Sequence, residues 1–117
     1  MDLYGPSMTA LRAFSTKTTV TANNLANALT PGYKSQRVHM VEVPGGGVTV
    51  TISRDLTPGP DRSEPEGASG FGPREGSNVD IAREAANLIT SKRLYQANAR
   101  TFMAQAQTKG RILDLIG

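Results

Sequence analysis

The chain has 117 residues, of which 38% are hydrophobic and only 5% aromatic, so it fits one domain with few large side chains for a core. It has no cysteine and one histidine, which excludes disulfides, thiolate metal sites and sites built from several histidines. The net charge is +3, but no run of Lys or Arg is longer than the pair Lys92-Arg93, so no phosphate-binding stripe is apparent. Because large side chains for a core are few, we expect neighbouring molecules to supply part of the stability.

Residues 1–33 are predicted to form a helix and a closing turn, with the helix running from Ser7 to Leu29 and capped by Asp2 or Ser7. The N-terminus lacks the basic and apolar segments of a cleaved signal peptide, and no apolar run is long enough to span a bilayer. The threonine-rich middle makes this a weak helix. Pro31-Gly32 suits a type II turn. One stripe of the helix has alternating spacings of four and three residues, typical of a supercoiling helix: Tyr4, Met8, Leu11, Ser15, Thr18, Ala22, Leu25 and Leu29.

Residues 34–54 are predicted to form a β-hairpin. Val38, Met40 and Val43 precede a turn at residues 44–47, and alternating apolar residues follow it at Val48, Val50 and Ile52. The turn contains three consecutive glycines, which permit positive φ angles. No Gly-Lys-Ser/Thr follows, which argues against a phosphate cradle.

Residues 55–77 are rich in proline and glycine and are predicted to be a linker loop, and residues 78–117 a long helix. Ser77 and Asp80 match a capping box. At 1.5 Å per residue the last helix would be ~55 Å long and the first ~35 Å, so part of the longer helix needs another molecule to cover it. Its stripe of period 3.5 comprises Ile81, Ala85, Leu88, Lys92, Tyr95, Ala99, Phe102, Ala106, Lys109, Leu113 and Ile116. The fold class is mainly α, a coiled-coil-like pair of terminal helices with a small hairpin and a loop inserted between them.

Two sequence motifs identify a family. The stretch Ala22-Asn23-Asn24-Leu25-Ala26-Asn27, ending in Thr30-Pro31-Gly32-Tyr33, resembles the N-terminal signature of the flagellar rod and hook axial proteins. The stretches 77–80, 87–89 and 95–99, with Phe102 and residues 112–115, are similar to the terminal helix of that family. The two regions cover about 70 residues, and the short insert between them resembles the proximal rod proteins, since hook and distal rod members carry larger inserts.

The resemblance implies a structural subunit that is exported unfolded without cleavage through the flagellar type III channel. It would polymerise with other rod proteins above the MS ring and export gate, in the part of the basal body that spans the periplasm. It implies no cofactor, no metal, no nucleic acid, no membrane insertion and no enzymatic activity, and His39 has no partners for a triad. The predicted subunit interface comprises Tyr4, Met8, Leu11, Ala22, Asn23, Asn24, Leu25, Asn27, Ile81, Leu88, Tyr95, Asn98, Phe102 and Leu113.

Three questions stay open from the sequence. A small basic helical protein that binds nucleic acid would use Arg93 and Arg100, which are seven residues apart. Another type III inner-rod subunit is a further alternative, although it would lack both signature motifs. The asparagines at 23, 24, 27, 78, 87 and 98 are either exposed or capping residues, or their amides bond across subunits and fix the register of the assembly.

Overall fold

The computed structural model describes residues 4–62 and 74–117 and contains two helices and four strands. Their order is α1 (Gly5–Ala26), β1 (Gln36–Glu42), β2 (Val48–Arg54), β3 (Asp61–Arg62), β4 (Arg74–Glu75) and α2 (Ile81–Ile116). The mainly α fold with an inserted hairpin is confirmed. The molecule measures 78 × 24 × 18 Å with a radius of gyration of 20.8 Å, whereas a compact domain of this length would have about 13 Å.

Helix α1 begins earlier and ends earlier than the sequence predicted. Pro6 lies in the first turn, where its missing N–H costs nothing, and Tyr4 precedes the helix without a side-chain cap. The predicted cap at Ser7 is wrong, because Ser7 lies inside the helix and its hydroxyl donates to Gln105 Oε1 at 3.1 Å. Asp2, the other predicted cap, lies outside the described residues. The helix ends at Ala26, and the N–H of Asn27 closes its last turn on the Asn23 and Asn24 carbonyls.

The turn after α1 has the geometry that the sequence predicted. Gly32 has φ +69°, and the Tyr33 N–H donates to the Thr30 carbonyl at 3.2 Å, as expected for glycine in the third position of a type II turn.

The hairpin β1–β2 lies along α1. It is antiparallel, with Val38 opposite Ile52 and Met40 opposite Val50. Its open end lies at the end of α1, where Gln36 bonds to Asn24, and its tip lies at the start of α1, where the Val48 N–H donates to Thr9 Oγ1 at 3.2 Å.

Gly47 at the tip of the hairpin has φ +95°, and a Cβ there would lie 2.6 Å from Thr9 Oγ1. The close approach of hairpin and helix therefore requires glycine at this position.

Helix α2 begins at Ile81, three residues later than predicted, and is capped by Asp80, whose carboxylate accepts from the Arg83 N–H at 3.1 Å. The predicted capping box is wrong, because the Ser77 hydroxyl accepts from the Val79 N–H instead. The two helices are antiparallel, since the start of α1 meets the second half of α2 through the Ser7–Gln105 bond. Among the described residues only Ala13 and Val20 are fully buried apolar side chains, so the core is very small.

Candidate assembly surfaces

At some positions of the predicted helix stripes the predicted residue is exposed and the preceding residue is covered instead, an offset of one residue. In α1 the predicted residues Met8, Ser15 and Ala22 are exposed, whereas the residue before each of them is covered: Ser7, Phe14 and Thr21. In α2 the predicted Ala85, Lys92 and Ala106 are exposed, and again the preceding residue is covered: Glu84, Ser91 and Gln105. Among the other predicted stripe positions, seven are half-buried: Tyr4, Leu11, Thr18, Leu25, Leu88, Ala99 and Phe102. Six are exposed: Leu29, Ile81, Tyr95, Lys109, Leu113 and Ile116.

The offset makes the seam polar on the α2 side. The covered residues at seven-residue intervals are Glu84, Ser91, Asn98 and Gln105. Ser91 is completely buried, and its hydroxyl has no hydrogen-bond partner in the described part of the chain. A polar strip without a full set of partners stabilises a helix pair less than apolar side chains would.

An aromatic contact fixes the other end of the seam. The ring centroids of Tyr4 and Phe102 are 5.3 Å apart and the ring planes are inclined at 55°, a tilted geometry that aromatic pairs favour. Lys109 Nζ lies 5.2 Å from the Tyr4 ring centroid, within range of a cation–π contact. Residues of α2 beyond Lys109 therefore extend past the start of α1.

Asn24 joins α1 to the hairpin. Its side chain is 1% exposed. Its amide donates to the Gln36 carbonyl at 2.8 Å, and its oxygen accepts from the Gln36 N–H at 2.9 Å and from the Tyr33 hydroxyl at 3.1 Å. The side chain pairs with the Gln36 backbone as a neighbouring strand would. Asn24 thus acts within one molecule, although the sequence left a contact between subunits open for it.

Asn78 joins the same turn to the linker. Its oxygen accepts from the Ser35 N–H at 2.6 Å, and its amide donates to the carbonyls of Asp55 and Thr57 at 2.8 and 2.9 Å. Its own N–H donates to the Tyr33 carbonyl. The two asparagines hold the turn from both sides, one from α1 and one from just before α2.

Two ion pairs surround this joint. Lys34 Nζ bonds to Glu75, and Arg37 Nη2 lies 2.9 Å from Asp55 Oδ2. Hydrogen bonds from Thr57, followed by the bond from Arg37, hold the pKa of Asp55 well below its ordinary value. The bond from Lys34 and then the Gly59 N–H lower the pKa of Glu75. Both carboxylates are therefore ionised at neutral pH, and their ion pairs connect the predicted linker to the segment that follows the turn at Gly32.

The remaining predicted interface residues fall into two groups. Tyr4, Leu11, Leu25, Asn27, Leu88, Asn98 and Phe102 are half-buried within the protomer. Met8, Ala22, Asn23, Ile81, Tyr95 and Leu113 are exposed, and the exposed group is the part that a neighbour can reach. Contact between subunits at these positions stays a prediction.

The free end of α2 is apolar and uncovered. Ile112, Leu113, Leu115 and Ile116 are 50%, 60%, 86% and 79% exposed. The accessible surface of 8367 Å² exceeds the about 6,100 Å² expected for a compact monomer of this mass. Contiguous exposed apolar surface of this kind marks an interaction site.

Residues 4–62 and 74–117 contain no group of three or more side chains that could hold a metal ion. No helix in the same ranges is long and apolar enough to cross a membrane.

Comparisons with known families match both ends of the chain. Residues 7–34 match the model of the flagella basal body rod protein, and residues 72–115 match the model of the flagellar basal body rod FlgEFG protein C-terminal region. A search of curated proteins found no match. The first model covers α1 and the turn held by Asn24, and the second covers α2. Together they account for more than half of the chain, which therefore belongs to the flagellar basal-body rod protein family.

Proposed function

We propose that the chain is a subunit of the proximal rod, most like rod protein C, and that it polymerises through its terminal helices into the torque-transmitting drive shaft. Membership of the family supports the coarser statement of a structural rod subunit in the flagellar basal body that assembles with other rod proteins. The short insert between α1 and α2 favours the proximal rod. Contact with the MS ring and export gate at the rod base belongs to the same proposal.

The uncovered end of α2 carries the proposal. Helix α2 has 36 residues and α1 has 22, so α2 is about 20 Å longer. Its last turns carry four large apolar side chains that are 50–86% exposed. Burying them against a neighbour gains roughly 25 cal/mol per Å², which favours assembly over the free protomer.

The small core favours export as an unfolded chain. Only Ala13 and Val20 are buried apolar residues in the described ranges, and the chain has no cysteine. Such a protomer unfolds at low cost and becomes ordered fully when neighbours cover it. We propose that it passes the type III channel without cleavage of a signal and crosses the periplasm as part of the rod.

A charge at Leu113 tests the proposal. Leu113→Glu is expected to prevent incorporation into basal bodies and to abolish motility, because it places a carboxylate in an apolar contact. Gln107→Glu is the matched control, since it adds the same charge to an exposed position of α2. A strain that lacks the gene is complemented with each variant, and swimming and basal-body content are measured. Normal motility with Leu113→Glu would refute the role of this end in assembly.

A second measurement addresses the nucleic-acid alternative. The rod proposal expects no salt-dependent shift of duplex DNA by the purified chain, whereas a DNA-binding protein would show a steep dependence on salt. A strong shift that Arg93→Gln and Arg100→Gln remove would favour the alternative.

A further inference from the structure

An open crevice of about 230 Å³ lies where α1, β1 and α2 meet. Its lining includes Lys17 and Thr21 of α1, Gln36 of β1, and Glu84 and Asn87 of α2. A water molecule takes about 30 Å³ of liquid volume, so the crevice has room for several waters and for the polar end of a side chain. Two hairpin residues of the lining already have partners: Arg37 pairs with Asp55, and the His39 ring bonds to the Ser53 hydroxyl.

Glu84 lines this crevice without a partner. The residue is 6% exposed, and its carboxylate forms no hydrogen bond or ion pair with any residue in 4–62 or 74–117. Lys17 lines the same crevice, is half-buried, and likewise forms no ion pair within the described ranges. The helix dipole favours a carboxylate in this first turn, and a cation supplied from outside would add an ion pair. The crevice thus presents one unpaired negative and one unpaired positive group.

The opposite end of the molecule carries the complementary pair. Arg111 and Asp114 lie three residues apart on the free end of α2, so they are neighbours on its surface. Both are exposed, and neither takes part in an ion pair among the residues that the structure describes. Glu84 and Arg111 are 27 residues apart on one helix, about 40 Å. An intramolecular pair between them is therefore impossible.

We propose that the free end of α2 docks in this crevice of a second copy of the chain, with Arg111 bonded to Glu84 and Asp114 bonded to Lys17. The inference rests on the proposed function, since it describes how copies of a rod subunit join end to end. A head-to-tail contact of this kind does not close, and it extends a filament.

Reversing the charges one at a time and then together tests the pairing. Glu84→Arg and Arg111→Glu are each expected to weaken self-association of the purified chain about tenfold or more. The double variant is expected to recover to within about threefold of the original chain, because the pair is restored with opposite polarity. Sedimentation velocity at low and at high salt gives the association constants.

Lys17→Glu with Asp114→Lys forms a second, independent reversal. It keeps the test decisive if the covered Glu84 does not tolerate arginine, and far-UV circular dichroism checks the fold of every variant. The control pair is Glu42→Arg with Arg100→Glu, two exposed residues outside both surfaces. Its single variants are expected to associate like the original chain.

Two outcomes would overturn the proposal. In the first, the original chain shows no salt-sensitive self-association. In the second, the single variants are folded, but the second reversal does not restore their association. Failed rescue together with normal incorporation into basal bodies would assign the crevice to a different rod protein. If the chain is not incorporated into basal bodies at all, the proposed function fails, and the measurements on the purified chain still decide whether this contact exists.

Discussion

Replacing Asn24 with alanine removes the bonds that join α1 to the hairpin. Three hydrogen bonds are lost, two of them to the Gln36 backbone and one to the Tyr33 hydroxyl. The alanine leaves the N–H and carbonyl of Gln36 facing a cavity. The two backbone groups then lie between α1 and the start of β1, where they have no other partner in the described chain.

The expected loss of stability follows from those two groups. A buried backbone group left unsatisfied costs about 1–3 kcal/mol. Gln36 is only half-buried, so the lower end of that range applies to each group. The tyrosine hydroxyl can turn to water or to Asn23, which already lies 3.3 Å from it. We therefore expect Asn24→Ala to lower the free energy of unfolding by about 2–3 kcal/mol.

The assay must allow for a marginal protomer. Urea unfolding is followed by circular dichroism in a fixed concentration of trimethylamine N-oxide, which strengthens burial and populates the native state. Asn23→Ala is the matched control, because this neighbouring asparagine is exposed and its two side-chain bonds, to Tyr33 and Asn27, are both long at 3.3 Å. We expect its cost to stay near 0.5 kcal/mol. Equal midpoints for Asn24→Ala and Asn23→Ala would refute the role assigned to the Asn24 amide.

Three further predictions concern the hairpin tip, the linker and the free protomer. Gly47→Ala should destabilise the chain by about 1–2 kcal/mol more than Gly45→Ala, because both glycines have similar positive φ angles but only Gly47 faces Thr9. The urea midpoints of the two variants measure this difference, and equal midpoints would contradict the packing of Gly47 on Thr9. The stability that Asp55 and Glu75 add should be complete above about pH 4.5 and lost as the pH falls through the lowered pKa values of the folded state. Carboxyl ¹³C titration measures these pKa values, and ordinary values for both groups would contradict the prediction. Amides of α1 should exchange rapidly in the isolated chain, and slow exchange across residues 7–26 would refute marginal stability.

The sequence was sufficient to predict the two helices and the hairpin, but not the short β3–β4 pair within the predicted linker. Alternation in β1 and β2, the three glycines between them, and the long alanine-rich run of α2 are local signals, and each of these elements exists. The turn at Gly32 also has the predicted geometry, because proline followed by glycine restricts the backbone strongly. The limits of both helices differ by a few residues, since a helix end depends on which group caps it.

The exact face of each helix required the tertiary structure. The predicted stripes follow an alternation of four and three residues in the sequence. The hairpin also packs on α1, so the buried face of α1 is wider than a single seam and includes Ala13 and Val20. The partners of Asn24 and Asn78 could not be predicted either, because they lie nine or more residues away in sequence. An asparagine at the end of a helix gives the same local signal whether it bonds to its own chain or to a neighbour.

The side of α2 that faces α1 is more polar than in a self-sufficient helix pair. It carries Glu84, Ser91 and Gln105 beside the half-buried Leu88 and Phe102, whereas Ile81 and Leu113 are exposed. A helix normally buries its apolar side and exposes its polar side. The polar seam sets which face of α2 meets α1 without contributing much free energy, and the apolar residues remain available to neighbours. The proposed assembly would cover these apolar residues, and we therefore expect the subunit to be folded most completely within the rod.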